Sequence, residues 1–289
     1  MANEIGMTEV TNVSQALIAQ IVQETLKQRS VLLSTVTDYS RFAVPGAKSV
    51  GIPRRDEFSA ANKAENTDLT AQELTFASDT IALNLHKAIY AKLERIAGIQ
   101  ATPDVVAEIL SESANELALQ VDKDIIVELR KVSESTPDHA IQYADTSGNV
   151  MAKADVLEAR RLLNKAKVPL MNRFMVISPD KEKEMLNISD FVKANEYGST
   201  RPIQNGELGQ VYGFTVLMHT ELADDEVLAY HPSHVGIAMQ LQPEFRTDFQ
   251  LRSVSDEFLL HQIYGVKVMG GATGVRGVQL KNTVAPSPG

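Results

Sequence analysis

Cysteine is absent from the 289 residues, so no disulfide framework, thiolate nucleophile or cysteine-based zinc site can exist. Stability must come from packing and from partners. No unbroken apolar run approaches the roughly 18 residues of a membrane span. The N-terminal MANEIGMTEV lacks the basic-then-apolar order of a secretion signal, and the chain is expected to be made inside a cell. No block of Lys or Arg is long enough to grip phosphates, and the formal net charge is −9. Sequence-specific nucleic-acid binding is therefore not expected.

Reactive signatures are missing too. The glycines of MGGATGVRG, at 270, 271, 274 and 277, fit neither the dinucleotide nor the Walker spacing. There is no Gly-x-Ser-x-Gly elbow, His-Glu-x-x-His pair or kinase signature. The expectation is a non-enzymatic protein without cofactor. His231 and His234 form the nearest histidine pair, but Pro232 argues against a helix through both, so a shared metal is not expected. Glu221, Asp224, Asp225 and Glu226 crowd near His219. ELADDEV lacks the alternating ligands and turn glycine of a hard-cation loop and reads as a solvated turn.

What is present is a string of elements, with a hydrophobic content of 44% that suits one large domain or two modest ones. VSQALIAQIVQETLKQR, residues 13–29, has helical periodicity behind a loose polar start. VGIPRR and TIALNL read as two arms of a long hairpin around a polar tip. A protruding polar loop of that length is costly to a monomer and makes sense if it lies on a neighbour. TPDVVAEILSESANELALQVDKDIIVELRKV, residues 102–132, carries the strongest helix signal. Thr102 caps, Pro103 suits the first position, and Val106, Ile109, Leu110, Leu117, Val121, Ile125, Leu129 and Val132 make one stripe. Such a helix would be about 45 Å long.

Between Thr136 and His234 the pattern is mixed: a helix over 154–167, a strand at RFMVIS, and a helix started by Ser178, Pro179 and Asp180. After Val235 it alternates as strands, and TVAPSPG ends as a tail. The fold class is α+β. In NGELGQVYGFTVLMHTEL, Asn205 and Gly206 signal a turn, Gly209 and Gly213 give the backbone room, and Val211 to Met218 alternates as a strand. Arg54, Arg55, Asp56 and Glu57 set two cations beside two anions in the hairpin. They suit either a solvated edge or a charge-complementary contact with another copy.

ARRLLNKAKVP, RFMVISPDKEKEML, DFVKANEYGSTRPIQNGELGQVYGFTVLMHTEL and the late HQIYGVKVMGG resemble tailed-bacteriophage major capsid proteins of the Hong Kong 97 type. Element order extends the resemblance over nearly the whole chain. It implies an N-terminal arm and helix (1–42), an extended hairpin loop (43–88) and a peripheral domain with the spine helix (89–136). An axial domain (137–234), peripheral strands (235–268) and a C-terminal strand and tail (269–289) follow. The implied function is a virion shell subunit, made in the host cytoplasm. Identical copies in hexamers and pentamers would build an icosahedral container for double-stranded DNA, with a portal and a cement protein as further partners and no membrane.

Met1 lies a dozen residues before the arm helix, so a separate scaffolding protein, or none, is expected. Some relatives join subunits through a hairpin lysine. Lys63 lies in a suitable region, but no partner for it can be aligned, and the bond is not among the expectations. Two alternatives stand beside this reading. One is an encapsulin-like nanocompartment shell; the other is a metal-dependent enzyme built on His219 with Glu221.

Overall fold

The computed structural model describes residues 30–55, 76–94, 105–132, 139–144, 150–188, 207–270 and 276–281, with single positions between 60 and 71. The arm helix over 13–29, the residues Asp56 and Glu57, and the Asn205-Gly206 turn lie outside them. The strands are β1 (Thr37–Asp38), β2 (Ser49–Arg55), β3 (Phe76–Ala82), β4 (Leu85–Glu94), β5 (Ala140–Ile141), β6 (Arg173–Ile177), β7 (Glu207–Val211), β8 (Phe214–Met218), β9 (Val227–Tyr230), β10 (Val235–Gln250), β11 (Ser255–Val268) and β12 (Gly277–Leu280). The helices are α1 (Val105–Arg130), α2 (Lys153–Lys165) and α3 (Pro179–Leu186). None is long and apolar enough to cross a membrane.

Helix α1 forms where the apolar stripe predicted it. Leu117, Val121, Ile125 and Leu129 are buried along it, with Ala114, Ala118 and Ile126 widening the stripe. At 1.5 Å per residue its 26 residues span about 39 Å. The stripe crosses two sheets. Toward one end, Ala114 and Leu117 pack with Phe245 and Leu260 of a four-stranded sheet ordered β1-β10-β11-β4. Further along, Val121, Ile125, Ile126 and Leu129 share a core with Val235, Ile237 and Tyr264 of that sheet and with Val176, Leu228 and Tyr230 of a six-stranded sheet. Each such Leu or Ile, fully buried, contributes roughly 1.5–3 kcal/mol.

The six-stranded sheet has the order β5-β12-β9-β6-β8-β7. Period-two alternation sorts its residues between two cores. Met175, Ile177, Val227 and Ala229 face α2 and its buried Val156, Ala159, Leu162 and Leu163. Phe174, Val176, Leu228 and Tyr230 face the core shared with α1. Both faces are covered, which is why VLAY and MVI read as unbroken apolar runs. Helix α3 starts as predicted, with the Ser178 side chain accepting from the Lys181 amide and Pro179 at the first position.

Strands β2 and β3 pair antiparallel, Ser49 with Ala82 through Arg55 with Phe76; the first arm is the predicted VGIPRR, but the second runs earlier than TIALNL, of which only Thr80 to Ala82 lie in β3 while Leu85 opens β4. Their foot rests on β10 through a small core of Val50, Ile81, Leu83, Ala238 and Met269. This covers the outer face of β10, so Gly236 and Ala238 are buried along with Val235 and Ile237. A simple in-out alternation was expected there.

Two further sequence expectations need correction. Val211 to Met218 is not one strand: Val211 pairs with Phe214, and Tyr212 (φ +47°) and Gly213 (φ +86°) form the two-residue turn between β7 and β8. Both φ angles are positive, as a primed hairpin turn requires. ELADDEV is not uniformly solvated, because Glu226 is 1% exposed. Pro232 opens a single 3-10 turn, Pro232–His234, whose first position tolerates a missing N–H, and His231 stays outside it as the N-cap, so no helix runs through both histidines.

Candidate assembly interface

The hairpin is held at one point from both sides. The guanidinium of Arg54 on β2 donates to the carbonyl of Gly270. The amide of Gly270 donates to Oδ2 of Asp79 on β3 at 2.9 Å. Gly270 has φ +102°, a conformation open to glycine. One residue of the chain leaving β11 therefore fixes both arms. The face turned outward carries Gly51, Pro53, Ser78 and Thr80, all exposed. In a two-stranded ribbon both strands are edges, so Pro53, which cannot donate to a ladder, is tolerated.

Of the charged residues the sequence singled out, Arg54 is half-buried and bonded within its own chain. Arg55 lies opposite Phe76 at the last described rung, and Lys63 is exposed. Gly209, at φ +90°, sits where the β7–β8 register shifts between Glu207 and Gln210. Asp79 and Gly270 carried no local signal: their roles depend on residues some 190 positions apart.

Large apolar side chains reach solvent at the extremities. Leu251 is 83% exposed and Val254 half-exposed in the turn joining β10 to β11. Met171, 77% exposed, and Leu170 occupy the loop between α2 and β6. That loop is braced from beneath. Buried Arg173 donates from Nε to the Pro169 carbonyl at 2.8 Å and from Nη2 to the Val168 carbonyl at 2.7 Å. Burial, with the nearby charge of Arg160, pulls the Arg173 pKa below its ordinary value. Phe42 and Val44 are exposed beside the hairpin foot. Scattered single apolar residues are ordinary on a surface; among these, Leu170 and Met171 stand on the loop that Arg173 braces.

The acidic turn and its histidine serve the interior. His219 Nε2 lies 3.2 Å from Oδ2 of Asp122 on α1, and its Nδ1 accepts from the Glu221 amide. Asp122 also accepts from Ser30 Oγ and from the amides of Val31 and Leu32. Arg130 makes a fork of bonds to buried Glu226, at 2.7 Å through Nη2 and 2.9 Å through Nε. Gln279 of β12 donates to the same carboxylate at 2.7 Å. The carbonyls of Asp224 and Asp225 accept from Ser178 and Tyr143, and Glu221 pairs with Lys123 at 3.5 Å. The groups proposed for a metal-dependent enzyme are thus spent on joining α1 to the six-stranded sheet. Among the described residues no three His, Asp or Glu side chains converge as a metal centre.

A family profile described as phage capsid protein matches residues 88–277, well over half of the chain. Among solved structures, the chain resembles one from Mycobacterium phage Che8 at TM-score 0.66 and 21% identity, covering 87% of this chain and 90% of that one. It resembles the capsid asymmetric unit of cyanophage Pam1 at TM-score 0.72 and 13% identity, covering 88% and 92%. The capsid of Ralstonia phage GP4 gives TM-score 0.68 and 10% identity over 91% and 93%. No curated protein sequence matches.

Proposed function

Because the chain belongs to the phage capsid protein family, we propose that it acts as the major capsid protein of a tailed phage, identical copies closing into the icosahedral shell around double-stranded DNA. The observation that carries this reading is the family match running from β4 to β12. The architecture agrees with it: the hairpin has only a small core at its foot, and a neighbouring subunit is the natural cover for its outward face.

In this reading α1 with β4, β10 and β11 forms the peripheral domain (89–136 and 235–268), and residues 137–234 form the axial domain that packs around local symmetry axes. The extended hairpin loop, 43–88, overlaps the next subunit, with Arg54, Arg55, Asp56, Glu57 and Lys63 as candidate contacts. Arg54 contributes there by holding β2 in place. Hexamers and pentamers are the expected capsomers. A separate scaffolding protein, a portal and a cement protein are the expected partners, and synthesis takes place in the host cytoplasm. No feature favours the encapsulin alternative over this one.

The test is electron microscopy and sedimentation of the purified chain, alone and with a co-expressed scaffolding protein. Closed shells or capsomers are expected. A monomer under all these conditions, with 49–55 and 76–82 already protected from hydrogen exchange, would overturn the reading.

A further inference from the structure

We propose that His86 and His261 form a binding site for a divalent transition-metal ion of the zinc, nickel or copper class. The pair is a product of strand register. On the β4–β11 ladder His86 stands opposite Ile263, and His261 stands opposite Ala88. The two histidines are therefore diagonal neighbours on one face, within reach of each other. That face is turned away from α1, because the alternate residues Gln262 and Tyr264 reach the helix at the Leu117 carbonyl and Asp124. His86 is exposed and His261 half-buried, so an ion from solvent has access.

The separations fit chelation. Nε2 of His86 lies 3.4 Å from Nδ1 of His261, with the rings edge to face at 70°. Two imidazole nitrogens on a tetrahedral zinc, each 2.0–2.1 Å from it, lie about 3.3 Å apart. A small rotation of the exposed His86 ring is enough to turn both lone pairs onto one ion.

Glu244, opposite His261 on β10, completes the arrangement from behind. Its Oε2 lies 3.6 Å from Nε2 of His261, while Arg246 holds Oε1 at 2.7 Å. That separation is an ion-pair distance; closing it by a few tenths of an ångström would let the carboxylate keep the proton on the far nitrogen and leave the near one free for metal. The chain supplies two nitrogens, and water fills the other positions. Nitrogen ligands without an oxygen cage favour zinc, nickel and copper over magnesium or calcium. An ion held here ties β4 to β11 beside Leu85, where the hairpin's second arm enters the sheet. The proposal does not depend on the shell function.

The experiment is calorimetric titration of chelator-stripped full-length protein with Zn²⁺ alone at pH 7.5, followed by thermal unfolding with and without the ion. One ion per chain is expected, with an unfolding midpoint that rises with Zn²⁺ and no response to Mg²⁺. His86→Ala and His261→Ala should each abolish binding, and Glu244→Gln should weaken it about 10–100-fold. His86 is exposed, so its variant stays folded and circular dichroism checks this. Absence of binding in the wild type, or undiminished binding in the His86→Ala/His261→Ala double variant, overturns the site. Unchanged affinity in Glu244→Gln removes Glu244 from it.

Discussion

Asp122 on α1 and His219 after β8, 97 residues apart, meet at 3.2 Å in a buried contact. Because His219 Nδ1 accepts from the Glu221 amide, its proton sits on Nε2 and points at the carboxylate. Asp122 thereby gathers the segment at Ser30 to Leu32, the long helix and the segment after β8 on two oxygens.

Asp122→Ala strands a buried imidazole N–H, a hydroxyl and two amides. A loss of about 3 kcal/mol or more is expected, since each buried donor left unpaired costs about 1–3 kcal/mol. His219→Ala leaves Asp122 three donors and should cost about 1–3 kcal/mol. Urea unfolding of both variants checks the ranking; equal costs would mean that the segment at Ser30 draws nothing from this carboxylate.

His234 gives a pH dependence. Burial, then the charges of Arg276 and His139, lower its pKa from 6.5 to about 3. The folded chain thus binds fewer protons than the unfolded chain between those values. Its contribution is fully present above pH 6.5 and is lost as pH falls toward 3, by as much as about 1.4 kcal/mol per pH unit. His234→Gln should flatten the decline of the urea midpoint between pH 6.5 and 5. An unaltered slope would place the acid sensitivity elsewhere.

Gly265 on β11 admits the hairpin foot. A Cβ there would land on the Ala82 carbonyl oxygen, with the carbonyl carbon at 2.9 Å and Ile81 Cγ2 at 3.0 Å. Backbone cannot yield as a side chain can. Gly265→Ala should cost about 3 kcal/mol or more, at the upper end for overpacking. Gly51→Ala, where nothing lies within 4 Å, should be close to neutral. Thermal melts of the pair measure the contrast.

Asp79→Ala removes the acceptor for the Gly270 amide and should loosen the hairpin locally. Faster hydrogen exchange across 49–55 and 76–82, with little change in the global melting point, is the expected pattern. Unchanged exchange would show that the foot's apolar core and the Arg54 bond hold the arms without Asp79.

Leu251→Asp tests the exposed tip. An 83% exposed side chain should change subunit stability by no more than about 0.5 kcal/mol. Shell yield by sedimentation should nonetheless fall if the tip meets a neighbour, and full yield would exclude it from the contact.

Much of this architecture was written locally. The apolar stripe from Val106 to Val132 forecast α1, and Ser178-Pro179 forecast the start of α3, whereas the alternation in TIALNL caught only the end of β3 and the start of β4. Local signals failed where the cause was distant. Gly236 and Ala238 are buried because the hairpin foot covers them, and no period within β10 encodes that. The β7–β8 turn was hidden because Tyr212, unlike glycine or asparagine, does not advertise a positive φ. Glu226 looked like one acid among four until Arg130, 96 residues away, claimed it. His86 and His261 were invisible as a pair, being 175 residues apart and joined only by register.

Strand β3 passes into β4 across Leu83 and Asn84 alone, and β4 is laddered to β11 from Leu85 to Glu94. Tension delivered through the hairpin along β4 therefore meets those rungs in parallel, as shear, instead of peeling them one at a time. A sheet loaded in shear yields at far greater force than one unzipped from its end. A pull on the hairpin would thus be shared by the ten paired positions of the β4–β11 ladder.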